Sequence, residues 1–223
     1  MERQNKLVVE ILKKLEKEGI LSQVLLIGSW CIYFYKDYFK GINYYPRIKT
    51  RDIDFLVPAR PKFPKEVDLE KLLSSLGFEI EFFGKGYMKL ESEELMLEFL
   101  VPEIGRSKDK PFPLKQLHFN AQPLRHLSML WRDPIQVNVA GIKVKLPHPA
   151  DCCLQKVIAA SKRKQVAKAD KDKQSAISLL EALIEKKDFQ DLSAAYKYLS
   201  KAEQKVVRAI LVKEEFENFQ VFE

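Results

Sequence analysis

Apolar runs with the pattern of strands end near Pro147, and that boundary constrains the fold more than any other feature of the sequence. Before it, short apolar runs typical of strands alternate with segments of helical periodicity. After it, no strand pattern remains, and Pro149 suits the first position of a helix. We therefore predict an α/β (α+β) core over residues 1–147, followed by a C-terminal helical bundle over residues 148–223.

The predicted core has the order α-β-α-β-α-β-β-β, which gives a mixed sheet flanked by helices. Its helices are predicted over residues 7–15, 30–39 and 67–76, and its strands over 23–27, 52–57, 78–83, 87–90 and 95–101. A polar loop over 102–113 and a hairpin over 137–146 complete it. Four helices are predicted in the second part, over 150–162, 174–186, 188–199 and 201–212.

The composition favours a polyanionic partner. The chain has 38 Lys and Arg residues against 31 Asp and Glu, a formal charge of +7. Such a surface suits nucleic acid or a triphosphate. The three cysteines lack the spacing of a zinc site or of a disulfide framework, so we expect small core residues in a reducing compartment. No stretch resembles a signal peptide or a membrane span, and a cytoplasmic protein without membrane association is expected.

Two carboxylates interrupt an apolar strand in the segment Asp52-Ile-Asp54-Phe-Leu-Val. Strand side chains alternate between faces, so Asp52 and Asp54 point the same way. Their mutual repulsion does not help the strand, whereas a cation between them would, and magnesium prefers carboxylate oxygens. Glu98 interrupts another apolar strand in the same manner. The alternative is that each acid pairs with Arg47, Lys49 or Arg51.

A Gly-Ser pair upstream makes the pattern more specific. Gly28 and Ser29 follow an apolar strand and precede a helix, where backbone N–H groups and a hydroxyl can meet a phosphate. A phosphate-binding turn, two acids on the next strand and a third acid on a later one each have a role in phosphoryl transfer. No Walker sequence and no nucleophile elbow is present, which argues against a P-loop NTPase and the usual hydrolases.

These segments resemble the nucleotidyltransferase superfamily, which has the polymerase-beta-like fold. The matching residues are those around Gly28 and Ser29, the run from Lys49 to Val57, and Glu98. Among its members, the sequence looks most like small bacterial proteins that include abortive-infection type toxins. Lys156 and the pair Lys171-Asp172 resemble the later lysine and aspartate motifs of that branch.

The resemblance implies an enzyme that transfers a nucleoside monophosphate from a nucleoside triphosphate such as ATP to an acceptor. It implies Mg²⁺ or Mn²⁺ held by Asp52, Asp54 and Glu98, which would also be the catalytic residues. Gly28 and Ser29 would hold the triphosphate. Lys156 would contact phosphate, and Asp172 would orient that lysine or a base. The implied acceptors are tRNA, other nucleic acid, a protein or a small molecule, and a toxin would have a small antitoxin protein as partner.

Several alternatives remain open from the sequence. Lys156 could be a solvated lysine on an amphipathic helix, and Asp172 could be an i,i+4 partner on a helix surface. The lysine-rich run 162–173 could follow a polyanionic acceptor or simply face solvent. Tyr44 and Tyr45 are candidates for contact with a nucleotide or acceptor. The main alternative function is a catalytically silent, nucleotidyltransferase-like module that binds RNA or a protein. An aminoglycoside acceptor suits the basic chain less well than an anionic one.

Overall fold

The computed structural model describes residues 2–46, 50–103 and 110–213. Within these, a mixed seven-stranded sheet forms the centre of the first part and a β-hairpin follows it. The strands are β1 Leu25–Ile27, β2 Asp52–Leu56, β3 Glu79–Phe83, β4 Tyr87–Glu91, β5 Met96–Pro102, β6 Phe112–Leu114, β7 Phe119–Leu124, β8 Ile135–Val139 and β9 Ile142–Leu146. The helices are α1 Glu2–Lys17, α2 Gly28–Phe34, α3 Leu69–Leu73, α4 Pro149–Lys162, α5 Val166–Glu185, α6 Phe189–Tyr198 and α7 Lys201–Lys213.

Strand β5 organises the large sheet because it pairs with three neighbours. It runs parallel to β2 along one side, with Asp52 opposite Met96 and Asp54 opposite Glu98. On its other side it pairs first with β4, antiparallel, and then with β7, parallel. The strand order is therefore β1-β2-β5-β4-β3, with β7 and then β6 added beside the end of β5. Strands β8 and β9 form a separate hairpin.

One face of the central strands forms the hydrophobic core. Ile53 and Phe55 of β2 are fully buried, and Phe55 stacks on Phe99 of β5 with ring centroids 5.5 Å apart. Burial of one such side chain contributes about 1.5–3 kcal/mol. Helix α1 covers the core with its apolar stripe, of which Ile11 and Leu12 are fully buried. The alternate residues of β2 and β5 are thereby left on the opposite face.

The helical part is built around α4, which packs against α5, α6 and α7. His148 caps the helix by accepting a hydrogen bond from the Ala150 amide at 3.2 Å. Asp151, fully buried in its first turn, accepts two hydrogen bonds from the Arg132 guanidinium at 2.8 and 3.0 Å. The Tyr35 hydroxyl donates to the Pro147 carbonyl oxygen at 2.8 Å, so the segment after α2 is joined to the connection between the two parts.

The predicted fold class is confirmed, since a mixed sheet flanked by helices precedes a set of helices. The division into domains at residue 147 stays a prediction. The three cysteines are free and buried, as expected. In the parts of the chain that the structure describes, no helix has the length and apolar character needed to cross a membrane. The cytoplasmic location stays a prediction.

Three element predictions were wrong. Helix α2 ends at Phe34, and turns replace the rest of the predicted helix up to residue 40. Helix α5 begins at Val166, eight residues earlier than predicted, because the lysine-rich run is helical on the exposed side of a buried stripe. Strands β6 and β7 were not predicted, since Pro113 and Pro123 interrupt their patterns. The predicted loop over 102–113 includes residues 104–109, which lie outside the described residues.

Candidate active site

Strands β2 and β5 bring the three predicted acids to one face of the sheet. Asp54 lies directly opposite Glu98 in the parallel register, and Asp52 is two residues earlier on the same strand. Because side chains alternate along a strand, all three carboxylates share the face opposite the core. Each is partly buried. The sheet therefore places like charges side by side in a setting of reduced solvation.

Asp54 is the most perturbed of these acids. Burial, and then the negative charges of Glu98 and Asp52, raise the pKa of the Asp54 carboxyl to about 7, although Lys156 and Lys89 partly offset the effect. Among the described residues, no side chain or amide forms a hydrogen bond or ion pair with this carboxylate. A partly buried carboxylate without a partner is unfavourable in the folded chain. A bound cation would relieve that cost.

Asp52 is held by the residue that precedes its strand. The Thr50 hydroxyl donates to Asp52 Oδ2 at 3.1 Å, and the Asp52 amide donates to the Thr50 hydroxyl oxygen at 3.2 Å. This local arrangement fixes the carboxylate at the start of β2. Of the basic residues proposed as alternative partners, Arg51 instead reaches Glu91 and the Ser92 carbonyl. Arg47 and Lys49 lie outside the described residues.

Glu98 has a cationic partner that the sequence did not suggest. The Lys89 ammonium of β4 contacts Glu98 Oε1, and the two side chains are only 20% and 16% exposed. Among the described residues, no three His, Cys, Asp or Glu side chains lie close enough together to hold one metal ion. The shared ion at Asp52, Asp54 and Glu98 therefore stays a prediction, and in this arrangement Lys89 contacts the third acid.

The Gly-Ser turn lies against these acids. Gly28 has a φ of +71°, and a Cβ atom at this position would overlap Asp54 Oδ2. Only glycine therefore permits both the backbone conformation and the close approach of the carboxylate. Ser29 follows at the start of α2, and its hydroxyl has no hydrogen-bond partner among the described residues. The turn thus presents a hydroxyl and backbone beside the acids.

Helices α4 and α5 form the wall of the site that faces the sheet, and one buried carboxylate joins them. Asp172, 5% exposed, accepts hydrogen bonds from Lys156 Nζ at 2.6 Å and from Arg163 Nε at 3.0 Å. The alternative of an i,i+4 pair on the helix surface is therefore wrong for Asp172. It joins two helices and orients two cations from a protected position.

A cleft of about 480 Å³ separates the two walls. This volume lies in the range of small-molecule sites, roughly 300–1,000 Å³. All seven residues predicted for the site line it: Gly28, Ser29, Asp52, Asp54, Glu98, Lys156 and Asp172. Seven more polar residues line it, of which only Lys171 was named individually from the sequence: Thr50, Lys89, Gln122, Gln155, Arg163, Lys168 and Lys171. The last three belong to the lysine-rich run, so part of that run faces the cleft.

The donor set suits a hard divalent ion at two of the acids. Asp52 and Asp54 offer carboxylate oxygens on one face, which Mg²⁺ and Mn²⁺ prefer, and Asp54 forms no ion pair with any residue that the structure describes. The basic groups across the cleft suit the phosphates that usually complete the shell of Mg²⁺.

The structure places the two tyrosines that were predicted to contact a nucleotide or acceptor in different environments. Tyr44 is buried, donates its hydroxyl to the Ile32 carbonyl oxygen at 2.7 Å and packs on Phe39. Its predicted contact with a nucleotide or acceptor is therefore wrong, because the ring belongs to the core. Tyr45 is 81% exposed and does not line the cleft.

Three solved structures resemble the chain at low sequence identity. A solution structure of the antibiotic-resistance factor ANT(2'')-Ia is 15% identical, with a TM-score of 0.46, 88% of this chain covered and 96% of that one. Its crystal structure with adenylyl-2''-tobramycin is 13% identical, with a TM-score of 0.48 and coverages of 95% and 99%. An antigenic nucleotidyltransferase-like protein from Paracoccidioides brasiliensis is 15% identical, with a TM-score of 0.46 and coverages of 98% and 89%.

A search of curated protein sequences finds no match. The sequence pattern of a family described as "Nucleotidyltransferase" matches residues 6–200, which is most of the chain and includes both walls of the cleft. The chain therefore belongs to this nucleotidyltransferase family.

Proposed function

We propose that this chain transfers a nucleoside monophosphate from a nucleoside triphosphate to an anionic acceptor, within the cleft between the sheet and helices α4 and α5. The observation that carries the proposal is the distribution of charge across the cleft. Carboxylates line the sheet, one of them without a partner in the described parts of the chain, and basic side chains line the helices. A metal–triphosphate complex has the matching order of charges, a cation followed by a polyanion.

Asp52 and Asp54 would hold Mg²⁺ or Mn²⁺ in this assignment. The chemistry supplied by an ion held there would be neutralisation of charge on the reacting phosphate and acidification of the attacking hydroxyl. Thr50 fixes the direction of the Asp52 carboxylate by its hydrogen bond. Gly28 allows the turn to pass close to Asp54. The Ser29 hydroxyl is positioned to donate to a phosphate oxygen.

The helical wall would bind the triphosphate tail. Lys156 and Arg163 are oriented by Asp172 and line the cleft. Charge-assisted hydrogen bonds of this kind stabilise the developing charge on pyrophosphate. Positioning and electrostatic stabilisation supply most of the catalysis in phosphoryl transfer.

The transfer itself exchanges one bond to phosphorus for another. The acceptor oxygen bonds to the α-phosphorus, the bond from that phosphorus to the bridging oxygen breaks, and the electron pair leaves with pyrophosphate. The acceptor proton passes to a base. Glu98 lies beside Asp54 on the neighbouring strand, and its carboxylate is the proton acceptor that we assign.

The acceptor we favour is a nucleic acid, tRNA among the candidates. The chain has a formal charge of +7, and the cleft opens beside a lysine-rich helix. This surface suits an anionic acceptor better than a cationic aminoglycoside. A toxin role with a small antitoxin partner is the narrower form of the proposal, and it rests on the resemblance of the site segments to abortive-infection type members.

The test is isothermal titration of each ribonucleoside triphosphate into the protein, with and without Mg²⁺. We expect magnesium-dependent binding of at least one triphosphate and its loss in Asp52→Asn/Asp54→Asn. Asp170→Asn is the matched control, because Asp170 is an exposed carboxylate on α5 outside the cleft. This control should bind as the wild type does.

The rival function is a catalytically silent module that binds RNA or a protein through its basic surface. Such a module has no need of metal-dependent triphosphate binding. Absence of binding to every triphosphate under both conditions, with retained RNA binding, would reject the proposed transfer and support the module. Labelled nucleotide appearing on tRNA or protein in an incubation with the α-labelled triphosphate would identify the acceptor.

A further inference from the structure

We propose that the Lys89 ammonium takes the place of a second metal ion beside Glu98, so that the site holds one divalent ion, at Asp52 and Asp54. The inference rests on the proposed function, since it concerns the same cleft. It makes Lys89 a positioning residue that sets the number of metal ions and keeps Glu98 out of the metal shell.

The first support is the location of the pair in the sheet. Strands β4 and β5 are antiparallel, with Leu90 opposite Leu97. Lys89 and Glu98 are the next positions outward on each strand, and therefore share the face that bears the other acids. Their side chains are mostly shielded from water, so solvent competes weakly for the contact. The ion pair is therefore part of the folded sheet.

The second support is that Lys89 is held from another side as well. Its Nζ atom lies 4.6 Å from the centroid of the Phe83 ring on β3. A cation over an aromatic face gains about 0.5–1 kcal/mol at exposed sites and more when desolvated. Glu98 and Phe83 together fix the ammonium before any ligand binds. An ammonium group fixed in this way is not readily displaced by an incoming metal ion.

The third support is the balance of charge. The three carboxylates and the Lys89 ammonium leave a formal charge of minus two on the sheet side of the cleft. One divalent ion at Asp52 and Asp54 neutralises that charge. A second divalent ion beside Glu98 would lie next to the ammonium and would have to displace it from a protected ion pair. The arrangement therefore favours one ion.

The experiment counts bound Mn²⁺ from the electron paramagnetic resonance signal of the free ion, with Mn²⁺ alone as ligand. We expect one Mn²⁺ per wild-type chain and one in Lys89→Arg, which keeps the cation. Lys89→Met should bind two, and Lys89→Met/Glu98→Gln should return to one. Lys71→Met, an exposed lysine on α3 outside the cleft, controls for the loss of one positive charge and should bind one.

Each other outcome has a defined meaning. Two ions in the wild type, or one ion in folded Lys89→Met, would overturn the role of Lys89 and leave the proposed function standing. No ion in the wild type would overturn the metal site of the proposed function, and this inference with it. Thermal melting establishes that each variant is folded, and if Lys89→Met is not, the wild-type count decides.

Discussion

At the scale of single residues, Asp54 and Gly28 show that the site is built at a cost to the stability of the fold. Asp54 is a carboxylate without a partner among the described residues, and Gly28 lies beside it in a backbone conformation that only glycine permits there. Without a ligand, the Asp54 carboxylate lowers the stability of the folded chain, and the backbone conformation at Gly28 restricts that position to glycine. Positions of this kind mark functional sites, because a folded chain retains such a cost only when the surrounding structure enforces it.

Asp54→Asn should stabilise the metal-free protein at alkaline pH. The folded-state pKa of Asp54, about 7, lies above its ordinary value of 3.8, so the folded chain disfavours the carboxylate. Wild-type stability relative to the variant should therefore fall as pH rises from about 4 to 7. We expect a difference near zero at pH 4 and about 1–2 kcal/mol above pH 7, after solvent screening.

The measurement is the difference in melting temperature between the two proteins across this pH range without metal. A gain of 1 kcal/mol corresponds to roughly 2–4 °C for a chain of this size. Addition of Mg²⁺ at pH 8 should narrow the difference, because the ion stabilises only the wild type. A difference that does not depend on pH would contradict the assignment of the raised pKa to Asp54.

Gly28→Ala should impair triphosphate binding more than stability alone explains. Alanine at a positive φ costs about 1–2 kcal/mol, and here the new Cβ would also displace the Asp54 carboxylate. Gly77→Ala is the matched control, since Gly77 has a φ of +79° and open space around its Cβ position. We expect at least a tenfold loss of magnesium-dependent triphosphate affinity in folded Gly28→Ala and none in Gly77→Ala.

At the scale of elements, the sequence predicted those strands whose pattern is local and missed those that depend on a distant partner. Strand β2 alternates acids with Ile53 and Phe55, and this period of two was sufficient to predict both its existence and its faces. Strand β7 contains Pro123 and polar residues, and it is a strand because β5 offers it an unpaired edge. Pairing of that kind is absent from local sequence.

The residues of the candidate site differ in the same way, since some are recognisable from local sequence and others depend on a distant partner. Gly28, Ser29 and the three acids lie in apolar strands or directly after one, where a polar residue stands out. Lys89 does not stand out, because a lysine in the short strand β4 reads as an exposed residue. Its partner Glu98 lies on a neighbouring strand, so the ion pair becomes visible only once the sheet is assembled.

The contact between α4 and α5 should depend on Asp172. In Asp172→Asn, Lys156 and Arg163 lose the carboxylate that orients them. We expect a loss of about 2–4 kcal/mol in the free energy of unfolding, since removal of one member of a buried pair leaves the other charge uncompensated. Denaturant unfolding measures this loss, and triphosphate titration should show weaker binding in the folded variant.

A double variant separates the orienting role of Asp172 in phosphate binding from its contribution to stability. Lys156→Met/Asp172→Leu removes both charges and should regain part of the stability while still binding triphosphate poorly. Asp170→Asn on the same helix should change neither quantity. Normal triphosphate binding by the double variant would show that neither side chain contributes to the phosphate site.

At the scale of the whole molecule, the charge of the chain is distributed so that a basic helix lies across the cleft from an acidic face of the sheet. Net charge alone, +7, suggested an anionic partner but gave no location. The fold gives one, since Lys168 and Lys171 of α5 face the cleft. A polyanion bound there would reach the reacting phosphate with its end while its backbone follows the helix.

The affinity for a single-stranded RNA should fall steeply with salt. Each phosphate contact contributes about −0.7 to the slope of log affinity against log salt concentration for a single strand. We expect Lys168→Gln/Lys171→Gln to reduce that slope by roughly 1–2, with little effect on the melting temperature. Fluorescence anisotropy at several salt concentrations measures it, and an unchanged slope would place the nucleic acid elsewhere on the chain.

The hydrogen bond from Tyr35 to the Pro147 carbonyl has a consequence for how the cleft selects its ligand. It joins the segment after the Gly-Ser turn to the residue that precedes the cap of α4, and so ties the bases of the two walls together. We expect this link to limit how far the two walls can separate, so that the cleft width present before binding would select ligands by their cross-section.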